Sequence, residues 1–424
     1  MDAIVLTAGK GTRLLPLTKH LPKPLFPIAG KPLLCNILDS FSEKISRVII
    51  VVGHEKKQII ARINKESYPF EIVWVTQKEQ KGTGHAIQLC KHLVTSNPFF
   101  MMYGDIFTSR TTIQNIINYP LSTKNVNGVI ATFEVDAPEK YGCLETINEK
   151  LVHIWEKQPD PPSRFINAGL MIIPEEIFTI LEKLEESDRG EIELTDGINK
   201  LVQAGKPFGF YEIDDYWIDT GYPWDLLSAN ALGLKQIRRD SKILPVAGVT
   251  IEGPVEISDS AVLRPGTFIQ GPVVIDEDAV VGPNSFIRSG TYIGKNVRIG
   301  NAVEIKNSII LDGTTIGHLS YVGDSIIGSM CNFGAGTKVA NLKLDNGLIS
   351  MQIQGNRVDS GKRKLGTIMG DNVKTGINVS IMPGICIGEN SLIGAHTLIS
   401  TNIPPNSLSY YEPETGRVIL KENK

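Results

Sequence analysis

The second half of the chain places an aliphatic residue at every sixth position, a rule that few folds can satisfy. Ten members, all Ile, Leu or Val, run in register from Ile251 to Ile305. The row continues one residue out of step from Ile310 and resumes from Ile381. Gly, Asn, Asp and Ser crowd the positions between, as the corners of a tightly wound coil require. The pattern predicts a parallel β-helix of hexapeptide repeats, whose coils bury the aliphatic row by stacking on one another.

One segment interrupts the predicted coil. ANLKLDNGLISMQIQGNRVDSGKRKLG, residues 340–366, is polar and basic and does not follow the six-residue period. Loops that leave a solenoid commonly build its binding face. We therefore expect this insertion to reach away from the coil, onto a neighbouring subunit.

The first half of the chain alternates short aliphatic runs with longer segments of helical period. The runs are AIVLT, VIIVV, IVWV, FFMMY and VIATF, and the helical segments include KPLLCNILDSF and GHAIQLCKHLV. This alternation predicts an α/β domain with a mostly parallel sheet covered on both faces, whose ligands gather at the carboxyl ends of the strands. DLLSANALGLKQIRR then predicts a connecting helix. We expect an α/β domain at 1–231, a linker at 232–245 and the coil at 246–424.

Charge and cysteine usage narrow the classes of partner. The 424 residues include 43 Lys and Arg against 46 Asp and Glu, so no overall field favours nucleic acid or an anionic membrane. Five scattered cysteines without CxxC spacing argue against a disulfide framework or a thiolate zinc site. No apolar run approaches the length that spans a bilayer. We expect a cytoplasmic protein that binds neither nucleic acid nor membrane and holds anions only at local sites.

Two short stretches near the N-terminus, TAGKGTR and LPKPL, place cations inside an apolar run. Gly9 and Gly11 flank Lys10 in a turn after the first predicted strand, where backbone N–H groups can approach a phosphate. Arg13 presents a rigid fork to phosphate oxygens, and Lys23 is held between two prolines. Two glycines alone are more often structural. The combination with these cations favours a phosphate site.

Asp105 and Asp219 follow the apolar runs of FFMMYGDIF and YWIDTG, which places both at the carboxyl ends of strands. A helix N-cap and a turn are the alternative roles. One reaction would require all of these residues, namely attack by a sugar 1-phosphate on the α-phosphate of a nucleoside triphosphate. Both reactants are polyanions, so the reaction needs a divalent cation and fixed positive charges. The two aspartates would hold Mg²⁺, while Arg13 and Lys23 would neutralise phosphate charge. No general base is needed, since the attacking phosphate is already ionised.

The order of motifs in the first half resembles that of the sugar-1-phosphate nucleotidyltransferases. LTAGKGTRLLPLT, LPKPLFPIAGKPLL, QKEQKGTGHAI, YGD, EKYG, INAGL and WIDTG carry the resemblance. It implies a Rossmann-like fold, Mg²⁺ as cofactor, and UTP or dTTP with a hexose or hexosamine 1-phosphate as substrates. It also implies that Asp105 and Asp219 carry the metal. The implied nucleoside contacts are Gln77, Gly82 and Thr83, and the implied sugar contacts are Gly142, Glu156 and Asn167.

His318 lies in GHLSYVGD, where the aliphatic row shifts register. A lone histidine is more often a surface or core residue than a catalytic one. A general base for an amine belongs near groups that bind a phosphorylated sugar, and nearby coils supply several. These groups are Arg288, Lys306, Tyr321, Asn332 and Asn341.

SFIRSG, AVEIKN, GHLSYVGD and NFGAGT resemble the hexapeptide acyltransferases. In particular, they are similar to the C-terminal half of the bifunctional N-acetylglucosamine-1-phosphate uridyltransferase and glucosamine-1-phosphate acetyltransferase family. The resemblance implies a left-handed coil, a homotrimer with acetyl sites between subunits, and acetyl-CoA as co-substrate. It assigns the base to His318 and the phosphate to Arg288 and Lys306. It implies that Tyr321, Asn332 and Asn341 contact the sugar and that Ala335 and Gly376 line the acetyl-CoA side.

The sequence is compatible with three functions. The first is a bifunctional enzyme that acetylates glucosamine 1-phosphate and then makes UDP-N-acetylglucosamine. The second is a glucose-1-phosphate uridylyl- or thymidylyltransferase whose coil only trimerises it, because WIDTG resembles those enzymes. The third is a non-catalytic subunit of a translation-factor exchange complex, which should lack the carboxylates and cations present here. His318 with Arg288 and Lys306 favours the first.

Overall fold

The computed structural model describes residues 1–187, 189–237 and 247–422. The chain divides into two compact units. The first comprises Met1–Lys10, Pro22–Leu25 and Pro32–Asp219, and the second comprises Gly11–Leu21, Phe26–Lys31 and Thr220–Lys424. Part of the linker predicted at 232–245 lies outside the described residues, and the domain boundaries expected from the sequence stay predictions.

The strands before the coil include every aliphatic run expected to form one. They are β1 (Asp2–Leu6), β2 (Pro27–Ile28), β3 (Lys31–Pro32), β4 (Arg47–Val52), β5 (Glu71–Thr76), β6 (Phe99–Tyr103), β7 (Ile106–Thr108), β8 (Gly128–Glu134), β9 (Gly142–Ile147), β10 (Lys150–Glu156), β11 (Phe165–Ile173), β12 (Phe208–Glu212) and β13 (Trp217–Asp219).

Helices form in the predicted helical segments. The helices are α1 (Leu33–Asp39), α2 (Lys56–Ile63), α3 (Thr83–Gln88), α4 (Arg110–Ile117), α5 (Leu121–Lys124), α6 (Ile177–Leu181), α7 (Leu194–Gln203) and α8 (Pro223–Leu234). However, α3 ends at Gln88 within GHAIQLCKHLV and α8 ends at Leu234 within DLLSANALGLKQIRR, whose last two residues lie outside the described part of the chain. None of the helices in the described part of the chain is long and apolar enough to cross a membrane.

The main sheet of the first unit has the strand order β5-β4-β1-β6-β11-β8-β12-β10-β9. Strands β5, β4, β1 and β6 are parallel, as expected for strands joined by helical crossovers. The expectation of a mostly parallel sheet is wrong beyond β6, because β11 runs antiparallel to both β6 and β8, and β9 and β10 form an antiparallel pair. The carboxyl ends of β1 and β6 lie side by side, with Leu6 opposite Tyr103.

The coil consists of three sheets of short parallel strands, closed by a C-terminal antiparallel pair. Its strands are β14 (Thr250–Glu252), β15 (Val255–Ile257), β16 (Val262–Leu263), β17 (Phe268–Gln270), β18 (Val273–Ile275), β19 (Val280–Val281), β20 (Phe286–Ile287), β21 (Thr291–Ile293), β22 (Arg298–Asn301), β23 (Glu304–Lys306), β24 (Ile309–Ile310), β25 (Thr315–His318), β26 (Tyr321–Gly323), β27 (Ile326–Ile327), β28 (Asn332–Phe333), β29 (Lys338–Val339), β32 (Ile368–Met369), β33 (Lys374–Thr375), β34 (Ser380–Ile381), β35 (Cys386–Ile387), β36 (Leu392–Ile393), β37 (Leu398–Ile399), β38 (Ser407–Glu412) and β39 (Arg417–Glu422). Two further strands, β30 (Ile349–Ile353) and β31 (Asn356–Lys362), form a separate sheet.

The aliphatic row becomes the core of the coil. Ile269 pairs with Ile287, and Ile287 with Ile305, so one turn of the coil equals three hexapeptides. The next turn is one residue shorter, because Ile305 pairs with Val322. This shorter turn accounts for the shift of the row after Ile305. The side chains of the row from Ile269 onward are buried, and stacking is therefore what stabilises the coil.

The insertion at 340–366 contains a β-hairpin made of β30 and β31. Ile349, Met351 and Ile353 alternate along β30 and are buried. A Cβ added at Gly384 of the coil would come within 2.6 Å of the Ile349 side chain, so this strand packs closely against the coil. The expectation that the insertion reaches away from the coil is therefore wrong for β30. A contact with a neighbouring subunit stays a prediction.

Candidate active sites

A cavity of about 320 Å³ opens at the carboxyl ends of β1 and β6 in the first unit. It lies at the edge of the sheet where ligands of α/β proteins bind. Five of the residues proposed from the sequence line it together. They are Gly9, Gln77, Gly82, Thr83 and Asp105.

The two glycines that line this cavity have different surroundings. A Cβ on Gly9 would meet nothing within 4 Å, so the protein leaves the space beside this backbone open to a ligand. Gly82 has φ +95°, and a Cβ there would lie 2.6 Å from the carbonyl oxygen of Ile192. Gly82 is therefore required by the fold. The same backbone turn presents Thr83, whose hydroxyl accepts the amide of Leu194 at 3.1 Å.

The amide of Gln77 is fixed at the back of the cavity. The residue is 6% exposed, and its Nε2 donates to the carbonyl oxygen of Gly82 at 3.1 Å. The same nitrogen lies 3.1 Å from Nδ1 of His85. Because both contacts use the nitrogen, the orientation of this side chain leaves its carbonyl oxygen as the acceptor. A fixed acceptor beside a cavity suits a base that carries an N–H.

A lysine and an aspartate form an ion pair at this cavity, and a second aspartate lies on a neighbouring strand. Lys23 Nζ donates to Asp105 Oδ2 at 2.8 Å, and the lysine side chain is only 10% exposed. Strand β13 pairs antiparallel with β7, which places Asp219 opposite Ile106, the residue after Asp105. Asp219 therefore lies on the strand paired with β7, and Asp105 lies in the turn directly before β7. Two carboxylates suit Mg²⁺, which usually takes one or two from the protein and further oxygens from substrate phosphates.

Arg13 and Gly11 belong to the second unit. Gly11 adopts φ +64° before the short 3₁₀ helix Thr12–Leu14, and its carbonyl oxygen accepts the Thr18 hydroxyl at 2.8 Å. The guanidinium carbon of Arg13 lies 4.9 Å from the ring centre of Tyr222. A Cβ on Gly221 would come within 3.2 Å of that guanidinium, so glycine lets Arg13 lie flat against this segment.

The proposed sugar contacts cluster around Glu156 at the end of β10. A Cβ on Gly142 would lie 2.7 Å from Oε2 of Glu156, which explains the glycine opposite it. Thr195 donates its hydroxyl to the same oxygen at 3.4 Å. Asn167 lies on β11, where its side-chain oxygen accepts the Gly169 amide at 2.9 Å.

Sequence reasoning missed Arg189 and Tyr103. Arg189 lies between two carboxylates, 3.5 Å from Glu156 and 2.5 Å from Glu193. Burial is the main cause that raises the pKa of Glu193, while Arg189 opposes it. Burial also raises the pKa of Tyr103, with further contributions from Glu156, Glu193 and Asp105. The RGEIELTD stretch was the available signal for Arg189, since it joins a cation to several acids.

In the coil, a hydrogen-bonded network joins most of the proposed phosphate and sugar contacts. Lys306 lies 3.5 Å from Asp324, a residue that sequence reasoning did not single out although it ends GHLSYVGD. Asn341 donates to Asp324 and to the Tyr321 hydroxyl, the latter at 3.1 Å. Arg288 pairs with Glu304 at 2.7 Å. These groups lie on strands β20, β23, β26 and β29 of one sheet or within two residues after them.

His318 ends β25 in the adjacent sheet, and β26 begins three residues later with Tyr321. Arg288 and Lys306 lie at the far end of the β20 and β23 strands. A three-residue strand is about 10 Å long, roughly the size of a sugar phosphate. His318 is exposed and precedes the start of β26, whereas the two cations lie at the opposite end of the strands stacked beneath β26.

Asn332, Ala335 and Gly376 lie farther along the coil than His318. Asn332 is in β28, the strand that pairs with β25. The carbonyl of Ala335 accepts the Asn378 amide at 2.8 Å. A Cβ on Gly376 would meet Ala395 N at 2.5 Å, so coil stacking alone requires this glycine.

Comparison with known families places both halves. Residues 2–236 match the nucleotidyl transferase family, residues 269–383 the GMPPB C-terminal domain, and residues 366–401 the bacterial transferase hexapeptide repeats.

Curated relatives match along nearly the whole chain. "Bifunctional protein GlmU" of Methanococcus maripaludis strain C5 is 45% identical over 417 residues, 98% of each chain. "Bifunctional sugar-1-phosphate nucleotidylyltransferase/acetyltransferase" of Sulfurisphaera tokodaii is 39% identical, covering 95% of this chain and 98% of the relative. A crystal structure described as a glucose-1-phosphate thymidylyltransferase of Bacillus anthracis aligns with TM-score 0.51 and 26% identity, over 57% of this chain and 98% of that one.

Proposed function

The chain belongs to the nucleotidyl transferase family, in a branch whose full-length relatives carry hexapeptide repeats and are named bifunctional, and from this premise we propose how its two halves divide the chemistry. The protein is a bifunctional enzyme of UDP-N-acetylglucosamine synthesis. It acetylates glucosamine 1-phosphate, and it transfers a uridylyl group from UTP to N-acetylglucosamine 1-phosphate with release of pyrophosphate. One observation supports this proposal. The same chain carries the Lys23–Asp105 pair, with Asp219 on the strand paired with β7, and a coil that carries His318, Arg288 and Lys306.

We assign uridylyl transfer to the N-terminal cavity. Asp105 and Asp219 would hold Mg²⁺, which when bound neutralises triphosphate charge and favours attack at the α-phosphorus. In the substrate complex, Lys23 exchanges its carboxylate partner for a phosphate oxygen, and Arg13 binds a second phosphate. The open backbone at Gly9 admits the triphosphate. The attacking phosphate oxygen of the sugar is already ionised, so no protein base acts.

The base and the sugar are recognised by separate groups. The carbonyl oxygen of Gln77 accepts the N3–H of uracil, while Gly82 and Thr83 contact the nucleoside from the same turn. Thymine carries the same N–H, so this contact rejects cytosine and does not separate UTP from dTTP. Glu156 accepts hydrogen bonds from sugar hydroxyl groups, and Gly142 and Asn167 shape the sugar pocket. Arg189 holds the Glu156 carboxylate in place.

We assign acetyl transfer to the coil. Arg288 and Lys306 bind the phosphate of glucosamine 1-phosphate, which orients the amine toward His318 at the other end of the strand. His318 accepts the proton as the nitrogen attacks the thioester carbonyl of acetyl-CoA, and coenzyme A leaves as a thiol. Tyr321, Asn332 and Asn341 contact the sugar, while Ala335 and Gly376 line the acetyl-CoA side.

We further propose that the coil is left-handed, that the protein is a homotrimer, and that it is cytoplasmic. Exposed apolar side chains on the insertion support a subunit contact, since Leu342, Leu344 and Leu348 are each more than a third exposed. The compartment is supported by cysteines that remain free thiols. This proposal is preferred to the two alternatives, in which the coil is only a trimerising scaffold or the protein is a non-catalytic subunit.

The test separates the two activities with one substitution each. Asp105→Asn should lower Mg²⁺-dependent pyrophosphate release on the order of a hundredfold, because a carboxylate that acts on transition-state charge is lost. It should leave coenzyme A thiol release within about twofold. His318→Asn should do the reverse, since the amide cannot accept the amine proton. Both reactions are followed on purified protein with UTP, acetyl-CoA and the two hexosamine 1-phosphates.

Matched controls are available on exposed positions of the same coil. Asp259→Asn and His396→Asn should leave both rates unchanged, and asparagine tolerates the left-handed backbone of His396, whose φ is +58°. Near-normal uridylyl transfer by Asp105→Asn would remove Asp105 from the metal site. Absence of thiol release from the unmodified protein would reject the acetyltransferase half.

A further inference from the structure

A cavity of about 270 Å³ lies between helix α8 and the coil. Ala231 and Lys235 line it from the helix side. Arg288, Lys306 and Asp324 line it from the coil side. The cavity therefore contains both cations proposed to bind the phosphate of the amino sugar, together with a third cation, Lys235, to which the family resemblance assigns no role.

The three cations differ in what already neutralises them. Arg288 pairs with Glu304 at 2.7 Å, and Lys306 lies 3.5 Å from Asp324. Lys235 makes no ion pair within the described ranges, and its side chain is exposed. A phosphate monoester carries a charge of about −1.5 to −2 at neutral pH. The carboxylates beside Arg288 and Lys306 offset part of the positive charge that these two cations present to a phosphate. Lys235 would supply a further positive charge.

Helix α8 is held in a fixed position beside this cavity. Asn230 is fully buried, and its Nδ2 donates to the Gly290 carbonyl oxygen at 3.0 Å. Its Oδ1 accepts the backbone amide of Ala29 at 2.9 Å. Lys235 caps the helix five residues later, a rise of about 7–8 Å along the axis. Its backbone position is therefore set by a buried anchor, although its side chain is long.

We propose that Lys235 is a third cation of the acetyl-acceptor site and binds the phosphate of glucosamine 1-phosphate together with Arg288 and Lys306. This inference rests on the proposed function of the coil. It makes the connecting helix part of the acetyltransferase site and predicts that this helix contributes to the preference for a phosphorylated amino sugar. Lys235 acts on binding and not on the chemistry, because it lies with the phosphate cations and not with His318.

The test is the steady-state kinetics of acetyl transfer by Lys235→Gln. The KM for glucosamine 1-phosphate should rise about tenfold, as expected for loss of one charge-assisted contact at a partly exposed site, while kcat stays within about twofold. The inhibition constant of inorganic phosphate, used as a competitor of the amino sugar, should rise by a similar factor. The KM for acetyl-CoA and the uridylyl transfer rate should not change. Lys235→Arg should restore most of the loss.

Lys295→Gln is the matched control. Lys295 pairs with Glu277 at 2.7 Å and lies at another corner of the coil, so its loss removes an equal charge without touching the cavity. An equal rise in KM for this control would reduce the effect to general electrostatics and overturn the proposal. A rise below twofold for Lys235→Gln, in a protein that acetylates normally, would also overturn it and leave the proposed function intact. If the unmodified protein does not acetylate at all, the proposed function itself fails.

Discussion

Single hydrogen bonds decide much of what the N-terminal cavity can bind. Gln77 is the clearest case, because its buried amide nitrogen is committed to Gly82 and His85 and only its oxygen remains for a ligand. Lys23 and Asp105 show a different arrangement. Their 2.8 Å pair keeps a mostly buried ammonium neutralised.

The substitution Gln77→Glu tests the role of the Gln77 amide, because glutamate has nearly the same shape as glutamine. The new carboxylate would face the Gly82 carbonyl oxygen without a proton to donate, and it would carry charge into a buried position. We expect kcat/KM for UTP to fall on the order of a hundredfold while acetyl transfer stays unchanged. Pyrophosphate release at varied UTP concentration measures the change.

Gln58→Glu, on the exposed face of α2, is the corresponding control and should leave UTP kinetics unaffected. If Gln77→Glu retained kcat/KM within twofold of the unmodified protein, Gln77 would not contact the base.

The residues of both sites were predictable where a short motif held them, and less so where the fold brings them together. Gly9 and Asp105 could be placed at strand ends from the apolar runs before them. Arg189 could not, because its partner Glu156 is distant in sequence. Asp324 is buried under Lys306 and Asn341, and a motif shows the presence of an acid without showing its neighbours.

At the level of elements, α8 has two tasks. It ends in the cavity of the coil, and through Asn230 it also fastens the segment around Ala29. Gly30 shares that segment, and a Cβ there would approach the Val274 side chain to 3.0 Å. The helix therefore depends on one buried amide for its position on the coil.

Asn230→Ala should weaken this docking. Removal of the side chain leaves the partly buried Ala29 N–H and the buried Gly290 C=O without these partners, at a cost of about 2 kcal/mol. For a domain of this size, that corresponds to a fall of about 4–8 °C in the thermal midpoint. Differential scanning calorimetry or far-ultraviolet circular dichroism measures the shift.

Ser228→Ala removes only a local hydrogen bond to Trp224 O in the same helix and should shift the midpoint by less than about 2 °C. An equal shift in the two variants would mean that Asn230 does not anchor the helix.

Element prediction succeeded where the period was regular. The six-residue row fixed the coil because only stacking can bury it, and the aliphatic runs before it are strands. The reversed direction of β11 could not be read from INAGL, since a strand buried on both faces looks the same in either direction. The hairpin at 349–362 was missed even though ISMQI alternates in the manner of a strand, because the polar composition of the insertion favoured a loop.

At the scale of the whole molecule, the buried thiols make the free energy of unfolding depend on pH in the alkaline range. Burial raises the pKa of all five cysteines, to about 11 for Cys143 and to about 12 for Cys90, Cys331 and Cys386. Unfolded thiols ionise near 9, so between about pH 9 and 12 the native state binds more protons than the unfolded state. Stability is therefore fully present below pH 9 and is lost as the pH rises through this window.

We expect the native protein at pH 8 to react with a thiol-specific chromogenic disulfide at far less than one site per chain, and the denatured protein at five. The free energy of unfolding in urea should decline steadily from pH 9 to pH 11. Cys90→Ala should make that decline less steep. A free energy that stays constant over this range would contradict the sign derived from burial.

The end of the coil has a consequence for how these molecules behave in a crowded solution. Strand β39 covers the outer edge of β38 along six residue pairs and presents Arg417, Lys421 and Glu422 on the last strand of that sheet. The other two sheets end in strands of only two residues, β35 and β37. A chain cut before residue 417 would expose a six-residue template on which a second molecule could dock end to end, and charged last strands oppose the growth of such filaments.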